Sequence, residues 1–237
     1  RLYQERTGKF RMPVTLTSIG VDLIRQFWKN QGVDPLEVVG KEEIKEKYWS
    51  KKFGRYQTKK KVIYQKKIHW SLDFLTECYH GGRNEQFWFG PGFDSVWYDY
   101  DLSSAYPSAM ALIGRPHWDK CRSIQNVDEL LNFQSADLAF ANVDFEFPDD
   151  ISYPVLPVRT ENGLIFPKKG NSTTHISEIL LAHRLGAKIS LVEGKLIPSE
   201  RHGNIKEGIE RPIRPFDGFT KFCIEERKKF PKKTLNN

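Results

Sequence analysis

The chain has 237 residues, 39% of them hydrophobic and 28% charged, with 37 Lys and Arg against 30 Asp and Glu and a formal net charge of +7. That length allows one large or two small domains with a buried core. No run of about 18 apolar residues exists, so no transmembrane helix is expected, and nothing at the start reads as a signal peptide.

Cys78, Cys121 and Cys223 are far apart and odd in number. That suits an intracellular reducing compartment and argues against a disulfide framework or a zinc knuckle. Both termini, one without an initiator Met, read as cuts in a longer protein. The charge is uneven: residues 41–67 carry eleven Lys/Arg against three Glu, and Arg227, Lys228, Lys229, Lys232 and Lys233 form a second cluster. Tyr48, Trp49, Phe53, Tyr56 and Tyr64 are interleaved with the first. Cations among aromatics suggest a phosphate backbone as partner; a solvated, Lys-rich surface is the alternative.

Residues 14–32 predict a helix capped by Thr17 or Ser18, with Leu23, Ile24, Phe27 and Trp28 as its apolar stripe and Gly32 as its stop. Polar, basic residues 41–75 suggest a short helix over 42–49, a loop, then a strand over 61–70. Gly81-Gly82 makes residues 79–84 a loop: an ordinary turn, or a place where another backbone comes close.

Val96, Tyr98 and Tyr100 alternate with Trp97, Asp99 and Asp101, which predicts a strand ending in a buried carboxylate, Asp101. Ser103-Ser104 signals a turn, Pro107 suits the start of a helix, residues 108–113 continue it, and Gly114 stops it. A carboxylate able to hold a hard cation, beside N–H groups able to hold phosphate, is the minimum for handling a nucleotide–magnesium complex.

Residues 136–147 predict a strand with Ala141, Val143, Phe145 and Phe147 inward and Asn142, Asp144 and Glu146 in water. After Pro148, residues 155–158 predict a short edge strand, paired with 163–166. Thr173 or Thr174 starts a helix that buries Ile176, Ile179 and Leu180 and ends at Gly186. His183 falls on its apolar side and reads as a core residue. Residues 189–197 predict a hairpin turning at Glu193-Gly194, and residues 198–215 a mobile loop. A last helix over 217–230 turns Phe219, Phe222 and Cys223 inward and stops at Pro231. His69, His80, His117, His175 and His202 show no metal-ligand spacing.

Asp101-Leu102-Ser103-Ser104-Ala105-Tyr106-Pro107-Ser108 resembles motif A of family B DNA polymerases, D-x-x-S-L-Y-P-S, with Ala105 where Leu is usual. Tyr79-His80-Gly81-Gly82 resembles the Y-x-G-G motif that joins exonuclease and polymerase domains in the protein-primed branch. Tyr79 and Asp101 are 22 positions apart, similar to that branch.

The resemblance implies an α+β fold: a palm-type antiparallel sheet with flanking helices and a mixed α/β insertion, cut before the fingers. Residues 1–78 would be the end of the exonuclease domain and a basic linker. Residues 79–115 would be the Y-x-G-G loop and motif A, 116–215 a palm insertion, and 216–237 a helix leading to the fingers. Asp101 would be a metal carboxylate of a two-magnesium site. Leu102, Ser104, Ala105 and Tyr106 would meet the incoming nucleotide, with the Tyr106 ring under its sugar. Asp99 could stand behind Asp101 or be a partly exposed strand residue.

Tyr79, Gly81, Gly82 and Arg83 would contact DNA, and Arg227, Lys232 and Lys233 are weaker candidates for phosphate. A DNA template and primer, deoxynucleoside triphosphates and a terminal priming protein would be the partners, with no membrane. The second carboxylate, in a Y-x-D-T-D-S motif, and the K-x-x-x-N-S-x-Y-G fingers helix would lie beyond residue 237, so the chain alone is expected not to polymerise. A non-catalytic single-strand-binding module and a family B polymerase primed by RNA or DNA are the alternatives.

Overall fold

The Thr15 hydroxyl accepts from Ser18 N at 3.2 Å and starts the longest helix, while Gly32 at φ +74° terminates it. Thr15, two residues before the expected cap, takes that place because its own backbone is extended.

The structure, a computed structural model, describes residues 2–92, 96–133, 137–204 and 209–229. In chain order the elements are α1 (Leu2–Thr7), α2 (Leu16–Asn30), α3 (Pro35–Val38), β1 (Lys41–Ser50), β2 (Arg55–Tyr64), α4 (Lys66–His69), α5 (Leu72–Glu77), α6 (Ala105–Leu112), β3 (Arg122–Ser123), α7 (Val127–Leu131), β4 (Leu138–Glu146), β5 (Val158–Thr160), β6 (Gly163–Ile165), β7 (Lys169–His175), α8 (Ile176–Arg184), β8 (Lys188–Ile197), β9 (Arg201–Asn204), β10 (Ile209–Pro212) and α9 (Asp217–Lys228). The class is α+β. None of the described helices is long and apolar enough to cross a membrane.

The elements fall into two compact units. The first comprises residues 1–72, 111–121 and 197–237, the second residues 73–110 and 122–196.

In the first unit, α2 buries Ile24 and Trp28 against Val38, Phe216 and Phe219. The Trp28 indole N–H donates to the Pro215 carbonyl at 2.7 Å, so its one polar group is satisfied on burial. Phe219 and Phe222 of α9 stack on Phe27 at 5.6 and 6.0 Å, whereas Cys223, expected inward, is exposed.

Residues 42–49 are not a helix: β1 and β2 form an antiparallel hairpin of ten pairs, from Lys41–Tyr64 to Ser50–Arg55. The Glu and Lys of this run favour a helix locally. Cross-strand partners decide otherwise, with Glu43 on Lys60 at 2.8 Å, Glu46 on Lys59 at 3.1 Å and Trp49 against Tyr56 at 5.2 Å. The strand expected over 61–70 is thereby moved forward, and α4 occupies its second half. The described part of the expected loop 198–215 is also paired, β9 with β10, and Pro212 sits in the last pair.

In the second unit, the sheet order is β3-β8-β4-β7. The inward face of β4 follows the alternation, with Ala139, Ala141, Val143 and Phe145 buried, and Phe147 just beyond it. Ile176, Ile179 and Ala182 of α8 close over it with Leu130 and Leu156. On the wet face Asn142, Asp144 and Asn171 bond to one another across β4 and β7.

Thr173 and Thr174 belong to β7, and α8 starts after His175, whose Nδ1 accepts from Ser177 N at 3.2 Å. The edge strand begins at Val158 and pairs with β6. His183 is exposed, not in the core. No hairpin turns at Glu193-Gly194, and β8 runs through it unbroken. A β-carbon on Gly194 would stand 3.0 Å from Ile124 Cβ, so the glycine serves the close approach of β3 to a straight strand.

Candidate functional site

The residues of both sequence motifs lie in the second unit. Residues 79–89 form an irregular loop after α5, which includes the loop expected over 79–84. His80 Nε2 and the Thr173 carbonyl oxygen hydrogen-bond at 2.7 Å, and the Arg159 guanidinium donates to the Tyr79 carbonyl at 3.2 Å. The Arg83 guanidinium donates to the Pro154 carbonyl at 2.8 Å and pairs with Glu85. It also stacks 4.0 Å from the Phe166 ring centroid, a distance at which a cation is attracted to a π face.

The loop is therefore held by guanidinium and imidazole bonds to main-chain oxygens while the Tyr79 ring stays 77% exposed. Neither Gly81 nor Gly82 has a positive φ, and a β-carbon on Gly81 would meet nothing within 4 Å. Among the described residues nothing stands against Gly81, so the fold leaves space at that position.

The segment that resembles motif A departs from expectation. Residues 96–102 form no strand: Trp97, Tyr98, Tyr100 and Leu102 are exposed, and so is Asp101. Alternation alone does not hold a strand without a neighbour to ladder with, and among the described residues none pairs with this segment. The turn that follows is at Ser103-Ser104 as expected, and the helix after it starts early. Ser104 has φ +57°, the one non-glycine residue described with positive φ, and its carbonyl accepts from Ser108 N at 2.9 Å. Helix α6 then starts at Ala105, so Pro107 lies inside the first turn, where its missing N–H costs nothing.

Tyr106 is 80% exposed. Its hydroxyl is 3.6 Å from the position of a β-carbon on Gly82, so the fold brings the two motifs together. Ala105, at the start of α6, is half-buried.

Two comparisons with known sequences bear on this arrangement. The profile of the family described as DNA polymerase type B, organellar and viral, matches residues 43–200, more than half of the chain. The chain belongs to the organellar and viral type B DNA polymerases. It is also 33% identical over 189 residues to the Escherichia coli protein named primer-independent DNA polymerase PolB. The aligned part is 79% of this chain and 22% of that protein, so the chain spans about a fifth of the relative it matches. No solved structure matches.

Of the remaining candidates, Arg227 is exposed near the end of α9. Lys232 and Lys233 lie outside the described residues. Among the described residues, no three His, Cys, Asp or Glu side chains gather as a metal-binding group. Asp99 is exposed as well.

Sequence reasoning for this type B polymerase chain did not single out His80 or Arg159. Their partners lie 93 and 80 positions away, and no local pattern carries that information.

Proposed function

We propose that this chain is the part of a template-directed DNA polymerase that carries motif A, with Asp101 as a metal carboxylate. The observation that carries the reading is the contact of Tyr106 with the Gly82 position, which joins a nucleotide motif to a DNA motif. Asp101 is exposed and has no hydrogen-bond or ion-pair partner among the described residues, which fits a carboxylate kept free for a cation. Magnesium ions, when bound, would stabilise the attacking and leaving oxygens of nucleotidyl transfer.

The chain's own residues bind and orient. The Ser104 turn and the start of α6 would face triphosphate, with Leu102 and Ala105 beside it. The Tyr106 ring lies flat under the deoxyribose and leaves no room for a 2′-hydroxyl. Tyr79, Gly81 and Gly82 lie along the DNA, with Arg83 holding the loop and reaching phosphate at its edge.

On initiation, the Y-x-G-G form and the segment after motif A support a start on a terminal protein. The name of the Escherichia coli relative supports a second reading, a start without any primer. Incubating the full-length polymerase with template and a labelled nucleotide, with and without a candidate priming protein, separates them. Label that stays on protein after denaturation supports the first, and free labelled DNA made without that protein the second.

The chemical assignment is tested by Asp101→Asn in the full-length polymerase. Nucleotide incorporation is expected to be lost while DNA affinity stays near the parent's, because a ligand is removed and the basic contacts remain. Incorporation near the parental rate would overturn the assignment of Asp101.

A further inference from the structure

The hairpin of β1 and β2 has two faces of different chemistry, fixed by its register. Lys41, Glu43, Lys45, Lys47 and Trp49 share one face with Tyr64, Val62, Lys60, Thr58 and Tyr56. Glu42, Ile44, Glu46, Tyr48 and Ser50 share the other with Ile63, Lys61, Lys59, Gln57 and Arg55.

On the second face, Glu46 takes both Lys59 at 3.1 Å and Lys61 at 3.4 Å. The Tyr48 hydroxyl donates to Gln57 at 3.0 Å with Lys59 over the ring. Ile44, Glu46, Gln57 and Ile63 are half-buried there. Lys59 and Lys61 are thereby neutralised and Tyr48 and Gln57 engaged with each other, and Arg55, at the turn end of this face, has no ion-pair partner among the described residues.

On the first face only Lys60 is neutralised, by Glu43 at 2.8 Å. Lys45 and Lys47 are exposed and unpaired among the described residues, and Lys41 stands 4.6 Å from the Tyr64 ring centroid. At the far end Trp49 and Tyr56 form an edge-to-face pair, 54% and 71% exposed.

We propose that this first face is a stacking platform for single-stranded DNA, independent of the chemistry at Asp101. A row of unneutralised lysines attracts phosphates at the spacing of alternate strand residues. An exposed indole and phenol at the end of the row offer π faces to unstacked bases. Duplex DNA would satisfy the lysines but leave the aromatics idle, because its bases are already stacked. A strand of ten residues is about 30 Å long, enough for several nucleotides at the site sizes of roughly 4–16 known for such surfaces.

Fluorescence anisotropy of a labelled oligo-dT of roughly 15 nucleotides, titrated with the 237-residue chain in EDTA without nucleoside triphosphate, tests this apart from any catalysis. The variant Lys45→Gln/Lys47→Gln is expected to weaken binding about fivefold or more and to flatten the log–log salt slope by roughly 1.4, about 0.7 for each phosphate no longer neutralised. Lys59→Gln/Lys61→Gln removes the same charge from the other face and is expected to cost less than about twofold. Trp49→Ala is expected to weaken binding about fivefold or more without changing the salt slope, and Trp49→Phe to keep most of the affinity.

Circular dichroism of each variant shows whether the hairpin is intact. Where Trp49→Ala disturbs it, Trp49→Phe and the two lysine pairs decide. Equal losses from the two lysine pairs would overturn the proposal, leaving only net charge. So would parental binding by an intact Trp49→Ala variant, or equal affinity for a duplex of the same length.

Discussion

The Tyr106 hydroxyl and the Gly82 α-carbon are close enough that a β-carbon on Gly82 would touch the hydroxyl at 3.6 Å. The two residues are 24 positions apart in the chain and belong to different motifs. Their contact makes one surface of a loop that would follow DNA and a helix that would support a sugar.

From that surface it follows that Tyr106→Val, in the full-length polymerase, should relax sugar discrimination more than it slows deoxynucleotide incorporation. The ring is 80% exposed, so its removal opens space without emptying the core. The ratio of kcat/KM for deoxy- over ribonucleotide should fall roughly 10-fold or more. An unchanged ratio would remove Tyr106 from the nucleotide site.

Gly81→Ala separates the demands of folding from those of binding. The position is open space with an ordinary φ, so thermal stability should hold or rise by about 0.4–1 kcal/mol. Affinity for primed DNA should fall if a strand runs against the bare backbone. Differential scanning fluorimetry beside anisotropy checks both halves; a destabilised variant, or one that binds as the parent does, goes against the reading.

Burial holds the His175 imidazole below its ordinary value, with the ring edge-to-face on Phe140 at 5.2 Å. A base whose folded pKa is depressed favours the fold when neutral. Its contribution is complete above the unfolded value of about 6.5 and is lost as pH falls through the folded value. The midpoint of thermal unfolding should therefore drop between about pH 8 and pH 5. His175→Asn keeps an acceptor at the start of α8 and should lessen that drop. Parallel curves for parent and variant would show that His175 does not contribute.

Ile179→Ala should cost about 2–5 kcal/mol in urea unfolding, because Ile179 has no exposure and sits between α8 and β4. Leu181→Ala, on a side chain 44% exposed, should cost about 0.5 kcal/mol or less. Similar costs would mean that α8 does not cover the sheet through Ile179.

What the sequence made legible was what short-range pattern controls. The alternation of β4, the Gly32 and Gly186 stops and the turn at Ser104 all depend on neighbours within a few residues, and all are present. The hairpin of β1 and β2 was not legible, because its Glu–Lys spacing satisfies a helix as well as a strand. Only the partner strand, with Lys59 opposite Glu46 and with Lys60 and Lys61 reaching Glu43 and Glu46 diagonally, decides between them. The segment before Asp101 failed in the opposite sense: its period is right, yet a ladder needs a second strand. At the site, the two motifs could be read from the sequence, but their contact through Gly82 and Tyr106 could not, since it depends on the chain folding back.

Arg159 and Arg83 fasten the glycine loop by main-chain oxygens, those of Tyr79 and Pro154. A carbonyl is present whatever the side chain, so the anchoring does not depend on what occupies position 79. Residue 79 can vary in its ring without loosening the loop, whereas either arginine is hard to replace. Substitutions of Tyr79 should therefore report on what lies outside the protein, and those of Arg159 on the protein itself.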